Sequence, residues 1–381
     1  MTPLPRSEFA VTDRYVYLNH AAAGVLPLSS VAAVDAFARE HAQAGVLGTY
    51  PHDARLPEYR ETIGRFIGAR GSQIALLQNT SVAAATIAAG LRLQPGDEVL
   101  LSDGEFPANA IPWIALRRRG VEVRLIESAR ERLTPDVLRR EMSERTRVVA
   151  VSWVAYADGY RHDLEGLAYA AHERGALCCV DAMQGLGVLR LDAAAVDVDA
   201  VFAGGPKWML ALHGIAILYL GSRLAERLEL ALPGWRSVED IWDFHNYEQP
   251  LSRDVLRFES GTPNLIGTIS LVKAVELFER CGKAAIERHA LDLTERLCDG
   301  LRALGATIVS PRGKDVSSAI VTFSIPGCDS IELGRTLEDE GFVTTYRATG
   351  VRVSPHGYNT PEEIDALLEA SAKATRTVAK V

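Results

Sequence analysis

Short apolar runs separated by amphipathic stretches recur from about residue 74 to residue 220. Brief apolar runs bounded by turn residues read as buried strands, and intervening stretches of helical period read as crossovers to parallel neighbours. The pattern predicts strands over 74–78, 98–102, 121–126, 148–154, 177–180, 200–202 and 215–220. Between them, Thr134-Pro135-Asp136 predicts an N-cap followed by proline at the first helical position. Leu164, Leu167, Ala168 and Ala171 fall on one helical face before Gly175. The crossovers are expected to be helical, and the fold class is α/β: a mostly parallel seven-stranded sheet flanked by helices.

From Pro233 to about Pro263 the pattern breaks, and GWRSVEDIWDFHNYEQP has neither a strand nor a helix period. Beyond it come two long helical patterns, short strands near 319–324, 342–345 and 351–354, and a last helix from Pro361 with Thr360 as N-cap. This predicts a smaller α+β carboxyl-terminal domain. The expected division is an amino-terminal segment, 1–20, packing on the small domain, a large domain over 21–255 and the small domain over 256–381.

Composition narrows the partners. Hydrophobic residues make up 48% and charged residues 24%, which supplies a sizeable core. The net charge is −8 and no basic block stands ready to neutralise phosphates, so nucleic acid is not an expected partner. No run approaches ~18 uninterrupted apolar residues and MTPLPRSEFAVTDR lacks a signal-like stretch, so a cytoplasmic protein with no membrane partner is expected. The five cysteines show no CxxC spacing and read as reduced thiols, with no metal site.

The candidate chemistry sits at strand ends. In ALCCVDAMQGLG, Asp181 follows an apolar strand directly, where open α/β sheets bind ligands. In AVFAGGPKWML, Lys207 follows the next strand, and neighbouring strand ends bring the two groups to one cleft. Singly, each has a plain alternative, a helix cap for the aspartate and a solvated amine for the lysine. Desolvation beside Trp208 and Met209 is expected to favour the neutral, nucleophilic amine. Thr80 and Ser81, in QNTSVAAATIAAGL, open a helix whose positive end suits a phosphate; N-capping accounts for them equally.

In combination these motifs resemble the class V aminotransferase family of pyridoxal-phosphate enzymes, which includes cysteine desulfurases, selenocysteine lyases and isopenicillin N epimerase. The likeness runs from YLNHAAAG at Tyr17–Gly24 to VRVSPHGYNTPEEID at Val351–Asp365. It implies the fold type I architecture, with pyridoxal 5'-phosphate held by Lys207 as a Schiff base and Lys207 moving protons at the substrate carbon. Asp181 would pair with the pyridine nitrogen and Gln184 with the phenolic oxygen. Phe106, in DGEFPANAIPW, would stack on the ring. Gly261 and Thr262, in RFESGTPN, would reach the phosphate of the neighbouring subunit, implying a homodimer with shared sites. Arg352 would grip the α-carboxylate of an amino-acid substrate, with Asn19 and His20 lining the same pocket. Tyr156 is assigned to substrate recognition.

The chain departs from the family's pattern in three places. Relatives commonly carry Ser-Gly-His-Lys where this chain has Gly204, Gly205, Pro206 and Lys207, which removes two phosphate contacts. Trp153, Tyr156 and Asp158 stand where relatives often have histidine, asparagine and a small residue. GFVTTYRATGVRVS has no cysteine, and Cys328 in SIPGCDSIEL does not match the persulfide motif of desulfurases. The expected activity is therefore transamination of an amino acid. Alternatives are C–S lysis without a persulfide cysteine or epimerisation and, in another class, a non-catalytic binding protein.

Overall fold

The computed structural model describes residues 2–128 and 131–378, so Met1 and the last three residues of the expected carboxyl-terminal domain lie outside it. The main sheet contains β1 (Ile74–Leu77), β2 (Glu98–Ser102), β3 (Glu122–Ile126), β4 (Thr146–Ser152), β5 (Leu177–Asp181), β6 (Ala200–Gly204) and β7 (Ala216–Leu220). Their order is β1-β7-β6-β5-β4-β2-β3. Strands β2 to β6 are parallel to their neighbours among themselves. Strand β7 alone is reversed, running against both β6 and β1.

Burial follows position in the sheet. Every residue of β5, β6 and β7 is buried, as expected of strands covered on both faces, whereas edge strand β3 buries only Val123 and Ile126. Alternate residues enter opposite layers: Cys178 and Val180 join one apolar cluster, Leu177 and Cys179 the other. The adjacent cysteines thus point to opposite faces, and all five thiols are free.

Four crossovers are helical: α1 (Thr80–Gly90), α2 (Pro107–Ile114), α3 (Pro135–Glu141) and α4 (Leu164–His172). The Thr134 hydroxyl accepts the N–H of Val137, and the Asp163 carboxylate that of Gly166, so sequence-local caps set two of the starts. The fifth, from β5 to β6, contains no helix, contrary to expectation. Gly187, at φ 112°, lies so close beneath the Lys207 loop that a Cβ there would sit 2.2 Å from the Trp208 carbonyl oxygen. A helix would not fit in that gap, and only glycine adopts this backbone without strain.

In the carboxyl third, α5 (Leu265–Cys281) packs on the helices Leu28–Ala44 and Leu56–Phe66. Helix α6 (Lys283–Ala303) then leads to a second sheet of β8 (Thr307–Ile308), β9 (Val321–Ser324), β10 (Thr345–Arg347) and β11 (Gly350–Val353), ordered β10-β11-β9-β8. Helices α7 (Ser330–Asp339) and α8 (Pro361–Val378) enclose, with this sheet, a third apolar cluster containing Leu297, Phe323, Val351 and Ile364. Leu18 belongs to that cluster, and Val16–Tyr17 pairs in parallel with Phe342–Val343. Among the described residues no helix is long and apolar enough to cross a membrane.

Candidate active site

Asp181 is the last residue of β5, and Lys207 lies just beyond the carboxyl end of β6, its hydrogen-bonded neighbour. Both line one cavity at the carboxyl edge of the sheet, together with Thr80, Phe106, Ser152, Tyr156, Met183 and Gln184. Burial pushes the Asp181 carboxyl up to about 6, against the opposing pull of the Met183 N–H and the Lys207 charge. Burial lowers the Lys207 ammonium to about 8; Asp181 resists the shift and Arg352 adds to it. An acid and a base with ordinary values far apart are thereby drawn together near neutrality.

The backbone fixes this pair from behind. The Gly24 N–H donates to the Pro206 carbonyl at 2.8 Å. A Cβ at Gly24 would lie 2.0 Å from the Lys207 carbonyl oxygen, so only glycine permits this approach. Past the lysine, Leu210 takes a left-handed φ of 49°, held by its N–H on the Lys207 carbonyl. Such a conformation costs on the order of 1 kcal/mol and marks a loop whose shape is imposed by its surroundings.

Phe106, 42% exposed as a residue, caps α2 with its ring centroid 5.3 Å from Lys207 Nζ and 5.2 Å from the Tyr156 ring, edge to face. Thr80 opens α1. The Asn79 side chain and carbonyl take the N–H groups of Val82 and Ala83, leaving those of Thr80 and the more exposed Ser81 to an external acceptor. Gln184 reaches the cavity with its amide largely committed: Nε2 donates to the Ala21 carbonyl at 3.0 Å and Oε1 accepts from Trp208 Nε1 at 2.8 Å. One amide hydrogen remains for a ligand.

Arg352 stands beside the cavity. Its Nη1 donates to the Tyr156 carbonyl at 2.7 Å and its Nη2 to Thr345 Oγ1 at 3.4 Å, while Nε is buried without a partner. Asn19 connects indirectly, accepting the Thr345 hydroxyl at 2.7 Å. His20 is not at the cavity wall. It is fully buried behind the Lys207 loop, with Nδ1 2.9 Å from the Ser354 carbonyl and Nε2 2.9 Å from the Tyr358 hydroxyl. Burial and neighbouring His356 hold it well below the usual imidazole range, as a neutral core group. Gly261 and Thr262 follow the short turn Val255–Phe258 and do not line this chain's own cavity; a Cβ at Gly261 would meet nothing within 4 Å.

Two cavity-lining groups, Ser152 and Met183, and a carboxyl bonded to the first, Glu105, were not singled out from the sequence. Ser152 ends β4 and donates its hydroxyl to Glu105 Oε2 at 2.5 Å, while its N–H donates to Oε1 at 2.8 Å. Glu105, buried directly before Phe106, also accepts from Asn109 Nδ2 at 2.8 Å, and burial pushes its carboxyl up to about 7. The i, i+4 spacing of Glu105 and Asn109 was the available signal. Met183 accepts the Gly204 N–H at 3.1 Å on sulfur, and a Cβ at Gly204 would press its thioether at 3.2 Å. This thioether fills the space a side chain at Gly204 would need. Among the described residues, the cleft lined by Arg124 and Glu141 sets acids against arginines and has no lysine in its lining.

A helix start with free N–H groups, an aromatic face, a buried carboxyl and a depressed amine suit a cofactor with a phosphate, an aromatic ring, a ring nitrogen and an aldehyde. Fold and cavity together define an enzyme that holds its ligand at the carboxyl edge of a mostly parallel sheet. The family model described as Aminotransferase class-V matches residues 16–367, and the chain belongs to that family. A probable cysteine desulfurase of Methanothermobacter thermautotrophicus is 30% identical over 392 residues, covering 96% of each chain. The apo structure of a cysteine desulfurase from Thermococcus onnurineus NA1 matches with a TM-score of 0.89 at 25% identity, over 99% of both chains. A variant of C-DES with glycine covalently linked to its PLP cofactor matches with a TM-score of 0.90 at 21% identity, over 97% of this chain and 99% of that one. The chain is a pyridoxal-phosphate-dependent enzyme.

Proposed function

We propose that this enzyme is an aminotransferase acting on a small-molecule amino acid. The observation that carries the reading is the Lys207 amine and the Asp181 carboxyl facing one cavity from adjacent strand ends, each displaced toward neutrality. When bound, the cofactor supplies a sink for the electron pair left as a bond at the substrate α-carbon breaks. Lys207 Nζ would hold the cofactor aldehyde, and its free amine would take a proton from the substrate α-carbon and return one. Asp181 would keep a proton on the ring nitrogen. Phe106 would provide a stacking face, Gln184 would donate its remaining amide hydrogen to the phenolic oxygen, and Thr80 and Ser81 would hold the phosphate with hydroxyl and N–H groups. Arg352, whose buried Nε has no partner, binds the substrate α-carboxylate beside Tyr156. Asn19 orients Arg352 through Thr345.

Sulfur transfer to a protein thiol is disfavoured because no cysteine is among the cavity-lining residues. We also assign Gly261 and Thr262 to the phosphate site of a second copy, and the chain to a homodimer. The exposed rings of Tyr50, Trp242, Phe244 and Tyr247 give that pairing an apolar surface. We assign the large domain to 21–255 and the small one to 256–381, with the helix Leu265–Cys281 of the latter seated on the large domain and residues 1–20 docked on the small one.

Spectroscopy of the purified protein with added cofactor tests this. Wild type is expected to develop a near-visible band that borohydride bleaches with covalent labelling, and Lys207→Ala to lose the band and at least about a thousand-fold of activity. An amino-acid panel should yield keto acid with pyridoxamine phosphate. Pyruvate with sulfide, or solvent-deuterium exchange with inversion, would replace transamination with lysis or epimerisation.

A further inference from the structure

The hairpin that carries Arg352 holds a second arginine on the same face. In the β10–β11 pairing Thr345 lies opposite Arg352 and Arg347 opposite Gly350. Residues 345 and 347 share one face of β10, so Arg347 and Arg352 are diagonal neighbours, roughly 7 Å apart at the Cβ atoms. Gly350 has no side chain to separate them. Neither guanidinium has a carboxylate partner among the described residues: Arg352 uses a carbonyl and a hydroxyl, and its Nε is orphaned. The charge of Arg347 acts on Arg352, and that of Arg352 on Lys207, so three cations step outward from the cavity. Like charges placed side by side on a sheet face repel, and an anion bridging them relieves that repulsion.

We infer that Arg347 and Arg352 together form a two-anion seat, so that the enzyme takes an amino acid whose side chain carries a second acidic group. This rests on the function proposed above. The amino group is drawn to the Lys207 end, the α-carboxylate to Arg352 and the distal acid to Arg347 at the mouth. A basic side chain meets repulsion there, and a neutral one leaves Arg347 unused.

Two measurements test the seat. Protein carrying the cofactor is titrated with L-glutamate, L-aspartate and L-alanine by near-visible absorbance; separately, cofactor-free protein is titrated with glutarate and butyrate by calorimetry. An acidic amino acid is expected to bind at least about ten-fold more tightly than alanine, as one charge-assisted contact supplies. Arg347→Ala should cut that ratio about ten-fold, Arg347→Lys should restore part of it, and the preference for glutarate over butyrate should fall in parallel. An unchanged ratio in Arg347→Ala, or wild type favouring alanine, overturns the proposal. If no amino acid perturbs the spectrum, the aminotransferase reading fails. The glutarate arm then decides the seat alone: binding weakened by Arg347→Ala supports it, and binding indifferent to that change overturns it.

Discussion

Asp181 and Asp199 are buried aspartates at opposite ends of two neighbouring strands, β5 and β6. Asp199 precedes β6 and accepts from the Cys178 N–H at 2.7 Å, from His172 Nε2 at 2.8 Å and from Arg223 Nη1 at 2.6 Å. Its charge is enclosed by donors. Asp181 ends β5 with one backbone donor, Met183 at 2.8 Å, and a cavity in front of it. The same residue type, at similar burial, is a structural clamp where both carboxylate oxygens have partners, one of them a guanidinium. It is a displaced, reactive acid where the partners have been withheld. Arg60 with Glu259 repeats the first case, paired at 3.0 and 2.6 Å with the Leu76 N–H on the same carboxylate. Glu105 stands between the two: it has three donors but no cationic partner, and burial raises it.

The sharpest way to break this comparison is to make one substitution at both sites. Asp181→Asn is expected to lose about a hundred-fold or more in turnover while keeping its stability at pH 8, because it removes a charge that burial disfavours. Asp199→Asn should cost about 2–3 kcal/mol in denaturant unfolding by leaving Arg223 and His172 without their anion, with the site intact. Equal stability losses would erase the distinction.

Glu105 refines it. A carboxyl raised from about 4.5 to about 7 favours the fold while protonated, so its contribution is present at low pH and is lost as pH rises through 7. Relative to wild type, Glu105→Gln should therefore gain about 2–3 kcal/mol between pH 5 and pH 8 in unfolding measurements. The smallest effect concerns Lys207. Capture of the cofactor, followed by borohydride labelling, should rise with a midpoint near pH 8. Asp181 raises the lysine, so Asp181→Asn should move that midpoint down, by roughly one unit. An upward shift would mean that Asp181 does not act on the amine.

The strands were legible because central strands covered on both faces are continuous apolar runs. The reversal of β7 was not, since an apolar run carries no direction. The β5–β6 connection was also misjudged: its turns are shaped by Gly187 passing under Trp208, a contact between segments distant in the chain. Asp181, Lys207 and Thr80 could be nominated from strand ends and a helix start, and Phe106, Tyr156 and Gln184 from the family resemblance; all six share one cavity. Glu105 offered only its i, i+4 spacing to Asn109, and an acid at the start of a helix reads as an exposed charge until Ser152 of β4 closes over it. His20 sits beside a polar asparagine, yet packing with Tyr358 and Trp208 places it in the core.

The sequence by itself determined which segments become strands, which residues terminate them and which family's motifs they carry, because hydrophobic period and local capping act over a few residues. The tertiary structure alone decided the electrostatic setting of Asp181, Glu105 and Lys207 and the diagonal placement of Arg347 beside Arg352. Desolvation and Coulomb interaction depend on which distant segments surround a group, and those neighbours exist only once the chain has folded.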